Sequence, residues 1–423
     1  MSSIKAPRGT ADILPAQSWK WQAVESIARQ VAGLYHFQEI RTPIFEYTEL
    51  FHRGVGETTD LIHKETYTFN DRSDRSMTLR PEGTAGVVRA AIENNLIAQE
   101  GSRAKVFYIG PNFRYERPAS GRLRQHHQFG VEAFGVGEPE QDVECILLQL
   151  EFYRRCGLDL EKLQLQVNSL GDRESKQRLA EHMVQFLTPH MNALSEDSQR
   201  RLSENPLRIL DSKDPRDQEQ TGKLSTTGFL SAKSQAYLDR VLGLLERAGA
   251  KPTFDGKLVR GFDYYTETLW EVRMPQLGPQ DALGGGGRYD NLVENLGGRP
   301  TPGVGFGSGI ERLLLALDEQ KVSLPDARPP LIWIVVQGDD AKRAGWDLLI
   351  ELRRAALVAD MDTSNRSVKA QFKLADREGA KFCLILGDDE LKNGQVTVKN
   401  LSTGEQKSVP RVQIIEQMRA LLS

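Results

Sequence analysis

Three cysteines, at positions 145, 156 and 383, are too few and too scattered for a metal knuckle or a disulfide framework. Any pairing leaves one over, which fits a reducing compartment. No run of eighteen apolar residues occurs, and the opening MSSIKAPRGTADILP has no apolar core of the kind that secretion signals carry. The reading is a cytoplasmic protein with no membrane segment. Dominance of one charge is missing too: 55 basic residues stand against 58 acidic ones, a net charge of −3. Nucleic acid would therefore have to be met by local basic patches, not by a global field. There is no Gly-x-x-x-x-Gly-Lys phosphate loop, and no Gly-x-Gly-x-x-Gly turn between a strand and a helix. No Ser/His/Asp arrangement is evident, and adjacent His126 and His127 fall on opposite faces of a strand. What is present is ordinary for a globular chain: 39% hydrophobic and 27% charged residues, over a length of 423 that implies two or three domains.

The most distinctive stretch is 111–135, PNFRYERPASGRLRQHHQFGVEAFG. It reads as two extended segments, 106–116 and 125–134, joined by a loop with Pro118, Ser120 and Gly121. On the second segment His126, Gln128, Gly130 and Glu132 share one face, while Phe129, Val131 and Ala133 share the other. On the first, Arg114 and Glu116 lie together. Four arginines between 114 and 124 oppose one glutamate, a concentration suited to phosphate.

Around this hairpin the chain reads in order. Trp21, Val24, Ile27, Ala28 and Val31 recur at helical spacing and predict a helix over 18–34. Residues 39–43 read as a strand ended by Pro43. Arg80-Pro-Glu-Gly-Thr84 opens an amphipathic helix through Val87, Val88, Ala91 and Ile92. A helix over 141–156 and a strand over 163–169 follow. From 171 to 251, charged helical stretches broken at Pro189, Pro206 and Pro215 look like an insertion, whose arginines would serve equally as a solvated face. In Leu258-Val-Arg-Gly-Phe-Asp-Tyr-Tyr-Thr-Glu-Thr268, strict alternation places Arg260 and Tyr264 on one face and Tyr265 on the other. Leu283-Gly-Gly-Gly-Gly-Arg-Tyr-Asp290 lets backbone approach a ligand. In 303–309, GVGFGSG, four glycines line one strand face and leave a flat surface roomy enough for an adenine ring. A helix over 310–317 carries Arg312 in its first turn, where a cation opposes the helix dipole unless an anion is bound. PDARPP, 325–330, is a stiff linker. Beyond it come a strand at 331–336, a helix at 341–359, a strand at 382–386, a hairpin arm at 396–399 and a last helix at 412–422. That region holds 14 basic and 13 acidic residues, so charge alone says nothing of its partner.

Phe-Arg-x-Glu at 113–116, with its loop and returning strand, is similar to motif 2 of the class II aminoacyl-tRNA synthetases. HHQFGVE, RGFDYY and LGGGGRYD resemble the histidyl-tRNA synthetases in particular. Gly307-Ser-Gly-Ile-Glu-Arg312 resembles motif 3, and Pro43 stands where motif 1 has its proline. The resemblance implies an α+β fold, with an antiparallel class II sheet core in two parts, 1–170 and 252–325. It also implies a helical insertion at 171–251, a linker at 326–330 and a C-terminal α/β anticodon-binding domain at 331–423. The implied activity is ATP-dependent ligation of L-histidine to histidine tRNA through a histidyl-adenylate, by a homodimer, with Mg²⁺ bridging the phosphates and no metal ligand identified.

By the same resemblance Arg114 meets the α-phosphate and Glu116 the adenine end. Arg122 and Arg312 take the distal phosphates. Glu82, Thr84 and Gln128 hold the amino group, and Glu132, Tyr264 and Tyr265 form the histidine pocket. Arg117 and Arg124 are expected at the tRNA acceptor end. Arg260 is a second catalytic arginine opposite Arg114, used together with Tyr265, so a turn or bulge is expected at Gly261. Two alternatives stand beside this. One is a catalytically inactive, synthetase-like regulatory subunit of histidine biosynthesis, which would lose signature residues and the C-terminal domain. The other is a class II synthetase for another amino acid, such as threonine or proline, against which RGFDYY and the missing Cys/His metal set both speak.

Overall fold

The computed structural model describes residues 4–56, 59–326 and 328–422; positions 1–3, 57–58, 327 in the linker, and 423 lie outside it. The chain divides into two units, Met1–Asp326 and Ala327–Ser423.

The first unit is built on an eight-stranded sheet. From edge to edge its strands are Gln38–Glu39, Ala104–Phe113, Gln125–Phe134, Gly303–Gly309, Ala282–Arg288, Thr266–Arg273, Gln164–Ser169 and Pro252–Phe254. All neighbours are antiparallel except the short pair at each edge. The alternation read in 125–134 is realised: Phe129 and Val131 are fully buried, and Phe129 meets Phe107, Phe152 and Phe306 edge-on at 6.2, 4.8 and 5.7 Å. Helices Pro15–Leu34, Pro139–Arg155, Ala232–Arg247 and Ile310–Glu319 cover this apolar face with Val24, Ile146, Phe152, Val241 and Leu313. The opposite face carries the polar set His126, Gln128 and Glu132. A small sheet of Phe45–Tyr47, Ser76–Leu79 and Tyr67–Asn70 stands beside the main one.

Several local expectations are corrected. The first helix starts at Pro15, because proline is well accepted at the first helical position, where no intrahelical N–H bond is needed. The strand expected over 39–43 is only Gln38–Glu39, and Pro43 lies in an exposed connection. Residues 260–265 do not alternate as a strand: the chain bends at Gly261, where a turn or bulge was expected, turns again at Asp263–Tyr264, and pairs only from Thr266. The four glycines at 284–287 lie in the strand Ala282–Arg288. Helix Ala232–Arg247, placed in the insertion by its charge, packs into the main core through Leu238, Val241 and Leu245. The insertion has its own apolar centre, Leu179, Met183, Leu187, Leu194, Leu202, Leu207, Ile209 and Leu224.

The second unit is a five-stranded sheet in the order Ala359–Met361, Leu331–Val336, Ala380–Leu386, Gln395–Asn400, Gln406–Pro410. Its first three strands are parallel, as continuous apolar runs flanked by helices favour. The helix expected to reach 359 is Asp339–Arg354: Ala356 takes a left-handed φ of 61°, which stops it and frees Ala359 to start an edge strand. That strand is only three residues long, and in helix Val368–Arg377 the apolar residues Val368, Ala370, Phe372 and Leu374 alternate at period two, which hides a helix.

Candidate active site

The polar face of the main sheet forms the floor of a cavity of about 1060 Å³. Glu82, Thr84, Arg114, Glu116, Arg122, Gln128, Arg260, Tyr264, Tyr265 and Arg312 all line it. Residues as far apart in sequence as Glu82 and Arg312 are thus brought to one place.

Glu132 has no solvent exposure and does not itself line the cavity; its partners Thr84, Tyr108 and Tyr289 do, at one end. Thr84 Oγ1 donates to its carboxylate at 2.7 Å, Tyr108 OH at 3.5 Å, and Tyr289 OH donates to the other oxygen. Room for this cluster comes from missing side chains. A Cβ at Gly83 or Gly130 would lie 2.3 Å from the Tyr108 ring, and one at Gly305 would lie 2.0 Å from Glu132 Oε2. Burial pushes the Glu132 carboxyl up to about 8, with Glu82 adding to the rise and the Tyr289 and Thr84 hydroxyls opposing it. Glu82 is also buried and raised by burial, and its two oxygens accept the Thr84 and Ala85 backbone N–H groups at 2.6 and 2.8 Å. It therefore caps the helix Thr84–Glu93 as well as facing the cavity. Gln128 accepts from Asn112 Nδ2 at 2.7 Å through its carbonyl. Tyr264 and Tyr265 pack against each other with centroids 4.6 Å apart, Tyr264 edge-on to Tyr289.

The other end is cationic. Arg114 Nε donates to the Pro81 carbonyl at 2.9 Å, and its guanidinium lies 5.7 Å from the Phe262 ring centroid. Burial lowers its pKa, and the charge of Arg260 lowers it further. Arg312 donates to Gly121 O at 3.1 Å, Ala282 O at 2.7 Å and Gln280 Oε1 at 3.0 Å, uncharged acceptors that fix the fork without cancelling its charge. Burial, then Arg122 and Arg114, push its pKa down. Arg122 is paired with Glu116, which also lies 3.9 Å from Arg114. Among these groups a bound anion would be strongly favoured.

Arg260 lies between the two ends. Its Nη1 donates to Glu271 Oε1 at 2.6 Å and its Nη2 to Gly285 O at 3.4 Å. Burial works against its charge, and Glu271 more than restores it. Arg117 is exposed, and Arg124 lies 3.9 Å over the Tyr115 ring with Nε on Glu116 O at 3.2 Å, so neither lines the cavity. The glycine face of 303–309 is less open than expected. Tyr289 covers Gly303, Glu132 covers Gly305 and Gln128 approaches Gly307, which leaves Gly309 as the clear position.

Sequence reasoning missed Tyr108, Glu271, Tyr289 and Glu311. Period-two counting along Thr266–Arg273 would have put Glu271 with Arg273 on the cavity face. Glu311 accepts the His127 backbone N–H on both oxygens at 2.9 Å, with the His127 ring nitrogen also 2.9 Å away. His126 faces the cavity, and burial, followed by Arg114, His127 and Arg312, keeps its imidazole neutral by lowering its pKa well below the usual range.

Residues 9–313 match the family described as histidyl-tRNA synthetase, and residues 331–421 match the anticodon binding domain. The histidine–tRNA ligase of Halothermothrix orenii is 47% identical over 425 residues, covering 99% of this chain and 100% of that protein. That of Thermosynechococcus vestitus is 47% identical over 415 residues, covering 98% of this chain and 96% of the other. The apo histidyl-tRNA synthetase of S. aureus superposes with a TM-score of 0.81 at 40% identity, covering 98% and 99% of the two chains. A Bacillus halodurans structure titled as an ATP phosphoribosyltransferase regulatory subunit/histidyl-tRNA synthetase has a TM-score of 0.65 over 92% of this chain and 99% of that one. At 21% identity it shares the fold alone.

Proposed function

The chain belongs to the histidyl-tRNA synthetase family, and we propose that the cavity described above joins L-histidine to ATP before passing it to tRNA. The activity is the ATP-dependent ligation of histidine to tRNA by a class II synthetase with a C-terminal anticodon-binding domain. The residue roles that follow are our reading. What carries it is one juxtaposition: Thr84, Tyr108 and Tyr289, whose hydroxyls hold the buried Glu132 carboxylate, line the same cavity as Arg114, Arg122 and Arg312.

In this reading the histidine imidazole enters beside Glu132, Tyr264 and Tyr265, and its ammonium pairs with Glu82, Thr84 and Gln128. ATP lies along Arg114, Glu116, Arg122 and Arg312. A histidine carboxylate oxygen attacks the α-phosphorus in line. The bond to the bridging oxygen breaks, and pyrophosphate leaves with the electron pair. A ribose hydroxyl of the tRNA terminal adenosine then attacks the activated carbonyl; the acyl–oxygen bond to phosphate breaks, and AMP departs with that electron pair while its phosphate takes up the hydroxyl proton. No nucleophile–base pair is needed, since positioning and fixed charge do the work. Arg114 and Arg260 would stabilise the charge that gathers on the phosphorus oxygens. Arg260 must first exchange Glu271 for phosphate.

Mg²⁺ belongs to the reading. Glu116, Glu271 and Glu311 offer hard oxygens on the cavity wall, and among the described residues no three His, Cys, Asp or Glu side chains converge on one point. That suits an ion carried mainly by the ATP phosphates, which it would neutralise. Arg117, being exposed, and Arg124 would meet the acceptor end. A homodimer is supported by Ile44, Phe45, Tyr47 and Phe69, which remain about half exposed on and beside the small sheet next to Pro43. A cytoplasmic site is supported by three free cysteines, and no described helix is long and apolar enough to cross a membrane. The regulatory-subunit alternative has less behind it, because the catalytic arginines and the C-terminal domain are both retained. Pyrophosphate exchange with each amino acid in turn, followed by tRNA charging, tests the whole. Exchange with histidine alone is expected; exchange with none would return the regulatory reading.

A further inference from the structure

The 260–265 segment carries Arg260, Tyr264 and Tyr265, yet no strand ladder holds it. Its support comes from the insertion. Arg208, in the turn Pro206–Asp211, donates from Nη1 to the Arg260 carbonyl at 3.0 Å. Asn205 Nδ2 donates to Asp263 Oδ1 at 2.7 Å. Lys176, in helix Arg173–Leu187, donates from Nζ to the carbonyls of Asp263 at 2.9 Å and Tyr265 at 3.3 Å. On the core side the Asp263 N–H reaches Val55 O at 3.2 Å, and a Cβ at Gly56 would lie 2.5 Å from the Asp263 carboxylate. The insertion is itself braced there. Asp217 accepts from Ser195, Ser198 and Ser212, and Arg200, Arg201 and Arg208 converge on Asp60.

We propose that Lys176, Asn205 and Arg208 are positioning residues, and that the helical insertion is the frame that holds the Arg260–Tyr265 loop against the reacting phosphorus and the imidazole. The inference rests on the roles proposed above for Arg260 and Tyr265. Its physical basis is that all three side chains engage this one loop, at both of its ends and at its turn. The two cations take three carbonyls, and a charged donor makes the stronger kind of hydrogen bond. A displacement of about 1 Å in a group that must meet a transition state costs up to about 10²-fold in rate. With the frame removed, the Arg260 side chain keeps its bond to Glu271, but its backbone loses the Arg208 contact that fixes where that side chain starts.

The test uses the full-length protein and single-turnover adenylate formation with ATP and histidine, together with thermal melting. Arg208→Met is expected to slow adenylation by about 10–100-fold, with the ATP KM unchanged. Arg208→Lys should recover most of the rate, since an ammonium reaches the same carbonyl. In an Arg260→His background Arg208→Met should add little, because both act on one group. Asn205→Ala, which removes only the Asp263 contact, is the second variant should Arg208→Met fail to fold. A wild-type rate in Arg208→Met and Asn205→Ala beside a slow Arg260→His overturns the frame. So does full additivity, or a loss that Lys does not rescue and that follows the melting temperature. A wild-type rate in Arg260→His instead overturns the role of Arg260, and the frame falls with it.

Discussion

The two ends of the cavity solve opposite problems. Around Glu132 an acid is sealed from water, and hydroxyls from Thr84, Tyr108 and Tyr289 take up its lone pairs. At the phosphate end Arg312 is pinned by three neutral acceptors, so its geometry is fixed while its charge persists. Burial pushes the groups at both ends toward neutrality, upward for Glu132 and downward for Arg114 and Arg312. In the proposed reading the first end gains selectivity, because a ligand with an N–H can share the Glu132 acceptor with these hydroxyls and a ligand without one cannot. In the same reading the second gains attraction for a polyphosphate, and selection of the amino acid is separable from capture of the nucleotide.

The comparison breaks most sharply at Glu132. Glu132→Ala should lower kcat/KM for histidine by about 10³-fold or more, toward the 10⁴–10⁵ that a buried polar contact can enforce. The ATP KM should hardly move. Steady-state pyrophosphate exchange at varied histidine and varied ATP measures both, and equal losses would mean that the ends are not separate. Arg260 stands next. Arg260→His should slow adenylate formation by about 10²–10³-fold, the usual effect of losing one preorganised donor. Its melting temperature and its rate of transfer from preformed adenylate should stay near wild type. If transfer slows equally, the Glu271 pair is what the arginine is for.

How far the sequence led follows the same division. The strand 125–134 was legible to the residue, since alternating apolar and polar side chains have one physical meaning where one face is buried. Of the four arginines at 114–124, Arg114 and Arg122 line the cavity, and their spacing did not separate them from Arg117 and Arg124. At 260–265 only the break at Gly261 was legible, because period-two counting assumes a ladder, and here side chains from the insertion give much of the support. Tyr289 and Glu271 escaped for a similar reason: their roles exist only once Gly303–Gly309 and Arg260 are beside them. Charge misplaced helix Ala232–Arg247, whose buried stripe of Leu238, Val241 and Leu245 decides where it packs.

At the phosphate end the expected loss is smaller. Arg312→Met removes one charged donor among several, so the ATP KM should rise by about 10–100-fold while the histidine KM stays put. Measured with Glu132→Ala under the same conditions, it completes a crossed pair in which each variant spares the other substrate. A rise in both constants would show that Arg312 shapes the cavity as a whole.

The smallest effect is the pH dependence of stability, and it bears on the dry end alone. In the folded, unliganded protein Glu132 titrates near 8, against an ordinary 4.5. Folding therefore favours its protonated form. The resulting contribution to stability is full below about pH 4.5 and is lost as pH rises through about 8. Glu132→Gln presents a neutral amide at every pH and removes that dependence. Thermal melts between about pH 5.5 and pH 8.5 should show wild type losing a few degrees more than Glu132→Gln across the range. The sign matters more than the size. A wild type that gains on the variant as pH rises would mean that Glu132 is ionised in the resting pocket, held so by its hydroxyl donors. Histidine would then meet a waiting anion instead of a neutral acid that must give up its proton.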